Sequence, residues 1–175
     1  MPAGRWNLPM KLLISDANIL IDMEEGGLIE AMFRLPETFA VPNILYEEEL
    51  LAHHANLPGL GLQVLEISAE YMREAYRLRE QYNKPGQNDL FALSLAKQEA
   101  CPLVTGDKDL REAAERETVH VRGTLWLVER MVEQDILSIE DAETAYQKME
   151  DVGRRLPWDE VRKQIKRIKK SKKNE

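Results

Sequence analysis

Four places along the chain put carboxylates where side chains do chemistry. Asp16 ends the apolar run Leu12-Leu13-Ile14-Ser15. Glu47, Glu48 and Glu49 fall on the helical stretch after Phe39-Ala40-Val41. Asp89 opens the apolar segment Leu90–Ala96. Asp107 follows Leu103-Val104-Thr105, with Asp109 two residues on. Carboxylates gathered at one place without a cation repel one another, and some take up protons. A converging set therefore implies a hard divalent cation with oxygen ligands, Mg²⁺ above all. A metal at a site that handles a polyanion implies phosphoryl chemistry. Each acid also has a plainer role: Asp16, Asp89 and Asp107 suit helix N-caps, and the glutamate run suits a solvated face.

Other chemistries lack their residues. His53, His54 and His120 have no metal-ligand spacing with each other or with Cys101. No glycine-rich phosphate loop occurs, and no motif marks Ser15, Ser68 or Ser94 as a nucleophile.

The elements that would position the acids alternate. Leu12–Ile14 reads as a strand buried on both faces, the habit of parallel sheets. The helical patterns Asn18–Met23 and Leu28–Phe33 follow. Phe39–Val41 is a second strand, and the next helix runs from Asn43 to His54. Asn56–Gly61 reads as a loop and Val64–Ile67 as a third strand. Ser68 caps a long amphipathic helix, and the loop 83–88 leads to the helix headed by Asp89. Pro102–Thr105 and Thr118–Val121 read as the fourth and fifth strands, followed by helices over 123–134 and 138–153 and a last one from Pro157. Strands and helices at this spacing predict an α/β fold with a central parallel sheet. Ligands of such sheets bind outside the carboxyl ends of the strands, where Asp16 and Asp107 fall. If the first and fourth strands are neighbours, these two face each other across the crevice.

The 175 residues are 43% hydrophobic and 31% charged, which suits one main domain with a real core. The lone Cys101 fits a reducing compartment. The first residues lack a signal-peptide apolar region, and no run reaches membrane-spanning length. A cytoplasmic protein without a membrane partner is the expectation. Residues 154–175 hold ten Lys/Arg and three Asp/Glu, a net +7, so 1–153 carries −14 of the chain's −7. A basic end beside an acidic body would hold a polyanion near the carboxylates, or it is a solvated, frayed end.

The ordered set Leu-Ile-Ser-Asp16-Ala-Asn18-Ile-Leu-Ile, Val41-Pro42…Glu48, Asn88-Asp89-Leu90-Phe91-Ala92-Leu93…Ala96 and Leu103-Val104-Thr105-Gly106-Asp107 resembles the PIN domain family. Gly123–Arg130 resembles the C-terminal helical part of its toxin-type (VapC-like) members. The resemblance implies a three-layer α/β/α PIN-like fold with extra C-terminal helices: a nuclease domain over 9–155, then a basic helix and tail over 156–175. It implies an Mg²⁺- or Mn²⁺-dependent endoribonuclease acting on RNA. Asp16, Glu48, Asp89 and Asp107 would be catalytic, with Asp16, Asp89 and Asp107 on the metal. Asn18, Thr105 and Asp109 would orient substrate or ligands. The distance from Val41-Pro42 selects Glu48, with Glu47 as substitute; Glu49 stands where the family has an apolar residue. Toxin-type members also imply an antitoxin partner and a homodimer, for which the apolar residues Leu28, Ile29, Met32 and Phe33 would serve unless they are core. A haloacid-dehalogenase-like phosphatase would need a second Asp where Asn18 stands. The alternative is a PIN-like module that binds RNA or protein without cleaving.

Overall fold

The computed structural model describes residues 11–174; residues 9 and 10, which open the expected nuclease domain, lie outside it. Five short strands form one sheet: β1 (Leu12–Ser15), β2 (Thr38–Pro42), β3 (Gln63–Leu65), β4 (Leu103–Val104) and β5 (Val121–Arg122). All neighbours are parallel, in the order β3-β2-β1-β4-β5. The chain steps outward from β1 to β3, then returns to lay β4 along the other side of β1. Ile14 pairs with Leu103 and Ser15 with Val104, so β1 and β4 are neighbours at the point where strand order reverses. Leu13 and Ile14 of the central strand are fully buried, each worth roughly 1.5–3 kcal/mol against exposure.

Helices cover both faces, giving three α/β/α layers. On one face α6 (Gln87–Glu99) lies against β1, β2 and β4, with α5 (Ala69–Gln81) packed on it and α7 (Lys108–Arg116) beside it. Leu90 to Ala96 are all buried, which is why α6 shows no amphipathic stripe: a helix apolar all round is a core helix. On the other face α1 (Ala17–Glu25) and α2 (Ile29–Met32) meet α9 (Ile139–Asp151) and α8 (Thr124–Glu133). Leu28 and Met32 are buried, and Ile29 and Phe33 pack half-buried on the core.

The basic end is not frayed up to Lys173. It forms α10 (Trp158–Lys173), which packs on α9 through Val161, Gln164 and Ile168. The Tyr146 hydroxyl donates to the Gln164 side-chain oxygen (2.6 Å), and the Gln164 amide donates to the Leu125 carbonyl (2.8 Å). Among the described residues no helix is long and apolar enough to cross a membrane.

Four local readings shift. The expected loop 56–61 contains a helical turn, α4 (Leu57–Leu60), whose first turn tolerates Pro58. β3 starts one residue early and stops at Leu65. β5 falls at Val121–Arg122 rather than 118–121, because Thr118 adopts φ 64° to close the end of α7. The helix after β2 is α-helical only over α3 (Asn43–Leu45). Residues Tyr46–Leu50 form a π-helical turn, in which the Leu51 N–H donates to the Tyr46 carbonyl (2.8 Å). Leu45 and Leu50 are both fully buried. Five residues apart on an α-helix, they would face about 140° apart. The wider i→i+5 turn brings them to one side and pushes Glu47–Glu49 outward.

Candidate active site

Asp16 sits at the carboxyl end of β1 and is wholly buried. It caps α1: its Oδ1 accepts the Ile19 N–H (3.0 Å). Its Oδ2 accepts the Thr105 hydroxyl, 2.5 Å away across the β1–β4 boundary. The Thr105 oxygen in turn accepts the Asp107 N–H (3.0 Å). Thr105 therefore ties the ends of the two central strands together, Asp16 on one side and Asp107 on the other. Asp107 caps α7, its Oδ1 accepting the Leu110 N–H (2.8 Å), and is otherwise exposed to the crevice. Both plain N-cap roles and the crevice position hold at once.

Asp89 does not head its helix. α6 starts at Gln87, and Asp89 reaches back from the third position so that its Oδ2 accepts the Gly86 N–H (3.0 Å). A Cβ at Gly86 would stand 3.3 Å from that oxygen, so glycine there keeps the carboxylate close to the backbone. The neighbouring Asn88 amide donates to Glu48 Oε2 (2.9 Å), linking the π-helical turn to the start of α6.

The electrostatics record the convergence. Burial pushes Asp16 up to about 7, opposed by the Thr105 and Ile19 hydrogen bonds and assisted by the charges of Asp89 and Asp22. Burial raises Asp89, and Asp107 raises it further. Glu49 is an exposed residue, yet its carboxyl is raised by partial burial and by Asp89, offset in part by Asn88. Asp107 thus acts on Asp89, and Asp89 on both Asp16 and Glu49, which places the glutamate run at the edge of the set.

Asn18 is exposed and faces elsewhere: its side-chain oxygen accepts from Arg154 (3.4 Å). Asp109 lines a separate cavity with Asn83, Pro85 and Arg116. Sequence reasoning missed two participants. Asn88 stands beside Asp89 and bridges to Glu48. Asp22 on α1 is almost fully buried and is held by Arg154, whose Nε donates to Asp22 Oδ1 (2.5 Å). Burial raises Asp22, and Arg154 and Thr124 oppose the shift. The Asp22 position, six residues from Asp16 on an apolar helix, was the available signal; a partner 132 residues away was not.

Among the described residues no three Asp, Glu, His or Cys side chains stand grouped to hold a metal ion. The donor set nevertheless fits one in its chemistry. The donors are hard carboxylate oxygens, each ionised group offering about four lone-pair positions, and the raised proton affinity of Asp16 and Asp89 is what a divalent cation relieves.

A family model described as a PIN domain (DUF3368) matches residues 12–170. No curated protein matches the chain.

Proposed function

The chain belongs to the PIN domain family, whose fold is of nuclease type, and on that premise we propose that it is an Mg²⁺- or Mn²⁺-dependent endoribonuclease. The observation that carries the reading is the buried Asp16, joined through Thr105 to Asp107 at the sheet's reversal point and raised by burial, with Asp89 assisting. Asp16, Asp89 and Asp107 would hold the cation, with Glu48 or Glu49 completing the set from the π-helical turn. When bound there, the cation supplies Lewis acidity toward the phosphodiester and an activated water, so no covalent protein intermediate is needed.

The chain's own residues do the positioning. Thr105 fixes the Asp16 carboxylate by its hydroxyl and presents Asp107 by accepting its N–H. Gly86 fixes Asp89, and Asn88 turns Glu48 toward the same crevice. Burial leaves the Asp16 carboxylate short of counter-charge, which a bound cation would supply in place of a proton. An antitoxin partner and a homodimer stay implications of the resemblance.

The test is cleavage of mixed RNA by the full chain, with a thermal-unfolding measurement alongside. Mg²⁺ or Mn²⁺ should both activate the protein and raise its Tm, by RT ln(1 + [L]/Kd), about 2.7 kcal/mol at a hundredfold excess over Kd. Asp16→Asn and Asp107→Asn should abolish cleavage and shrink that shift. Glu49→Gln should shrink it more than Glu47→Gln, since only Glu49 is raised by Asp89. Full activity in excess EDTA would sink the proposal. One observation favours a second reading, a PIN-like module that binds without cleaving: Asp16 and Asp107 both have structural work as N-caps. RNA binding with no cleavage in Mn²⁺ and no metal-induced Tm shift would select it.

A further inference from the structure

A cavity of about 440 Å³ opens beside the carboxylates, between the start of α7, the start of α8 and the 152–157 linker that leads into α10. Gly106 and Lys108, which flank Asp107, form part of its wall, and Asp22, whose charge Asp16 feels, forms another. It therefore shares a wall with the crevice. Its size is that of small-molecule sites, about 300–1,000 Å³.

The charge of its lining is opposite to that of the chain. Lys108, Arg111 and Arg155 line it, all three are exposed, and none has a carboxylate within ion-pair distance among the described residues. The two acids in the wall are already answered: Asp22 by Arg154 and Glu160 by Lys163. Trp126 supplies an aromatic wall, with the Arg122 guanidinium 5.8 Å from its ring centroid. On the crevice's other flank stand Glu47–Glu49, which repel phosphate.

We propose that this cavity is a nucleotide subsite for single-stranded RNA: Lys108, Arg111 and Arg155 take the phosphate next to the one over the carboxylates, and Trp126 stacks its base. Cations on the backbone with an aromatic under the base is the usual physics of single-strand binding. The inference rests on the ribonuclease reading and adds to it a seat for the neighbouring nucleotide and a preference for unpaired bases.

The test is fluorescence anisotropy of the full chain with a short, labelled, mixed-sequence single-stranded RNA in EDTA, titrated across salt. Arg111→Ala with Arg155→Ala should weaken binding and flatten the salt slope by about 1.4, two contacts at about 0.7 each. Trp126→Leu should weaken binding roughly 5- to 150-fold, the worth of one base stack, with the slope unchanged. Trp126→Phe should restore most of that affinity, and thermal unfolding should show both variants folded. Polyphosphate, which has no bases, should respond to the arginine variants and not to Trp126→Leu. If wild type binds and cleaves RNA but the arginine and Trp126 variants keep its affinity and slope, the cavity is not the subsite while the ribonuclease reading stands. Equal losses with Phe and Leu would reduce Trp126 to packing and overturn the stacking role. A wild type that neither binds nor cleaves RNA would overturn both.

Discussion

Replacing Asp16 by asparagine should make the protein more stable above neutral pH while destroying its activity. The buried carboxyl has an ordinary value of 3.8 when exposed and about 7 in the fold. A raised folded value means that the folded state holds the proton more tightly. The contribution therefore favours folding below about pH 4 and is lost as pH rises toward 7. At pH 8 the shift of about three units amounts to about 4 kcal/mol against the native state. Asparagine carries no charge and escapes this term. It loses something else: one amide oxygen replaces two carboxylate oxygens, so either the Ile19 N–H or the Thr105 hydroxyl lacks its acceptor, at about 1–2 kcal/mol. The net expectation is a variant about 2–3 kcal/mol more stable at pH 8, or about 4–12 °C in Tm for a chain of this size. At pH 4 it should be about 1–2 kcal/mol less stable, and the curves should cross near about pH 5. Urea unfolding of both proteins in EDTA, from pH 4 to 8.5, gives the difference directly. The other raised carboxyls are present in both proteins, so the difference reads Asp16 together with its coupling to Asp89 and Asp22. A variant less stable than wild type by the same amount at every pH would refute the reasoning and leave Asp16 as an ordinary N-cap.

Two further outcomes follow from neighbouring contacts. Thr105→Val removes the hydroxyl between Asp16 and the Asp107 N–H; it should cost about 2 kcal/mol by urea midpoint and push Asp16 still higher, seen by NMR titration of the carboxyl. Arg154→Ala strands the buried Asp22; it should cost about 3 kcal/mol at pH 8. That loss should shrink toward pH 4, where Asp22 takes up a proton, so a pH-independent loss would show that Arg154 acts by packing alone.

The placing of Asp16 and Asp107 was legible because two apolar runs of strand length each end near an aspartate, and parallel strands put their ends together. The parallel sheet followed from the same alternation, whereas the adjacency of β1 and β4 stood there only as a condition that the strand order meets. What lay beyond the sequence depends on tertiary context. Nothing local distinguishes Arg154 from the other cations of the basic end; its partner is fixed only when α9 docks on α1. The resemblance implies a site role for Asn18, whereas its side-chain oxygen accepts from Arg154. The glutamate run could not be resolved by counting, because counting assumes an α-helix and the segment is a π-helical turn.

That turn has a consequence for how the family position tolerates change in length. Its two ends are anchored by Leu45 and Leu50, while the three glutamates between them touch no core. Removing one glutamate would leave the anchors four apart, the spacing at which an ordinary α-helix already puts both on one side. The segment can thus lose a residue without surrendering its hold on the core. What such a deletion changes is which carboxylate is rotated toward Asn88 and Asp89. Here the acidic partner is selected by the winding of the helix, and only then by the identity of the residue.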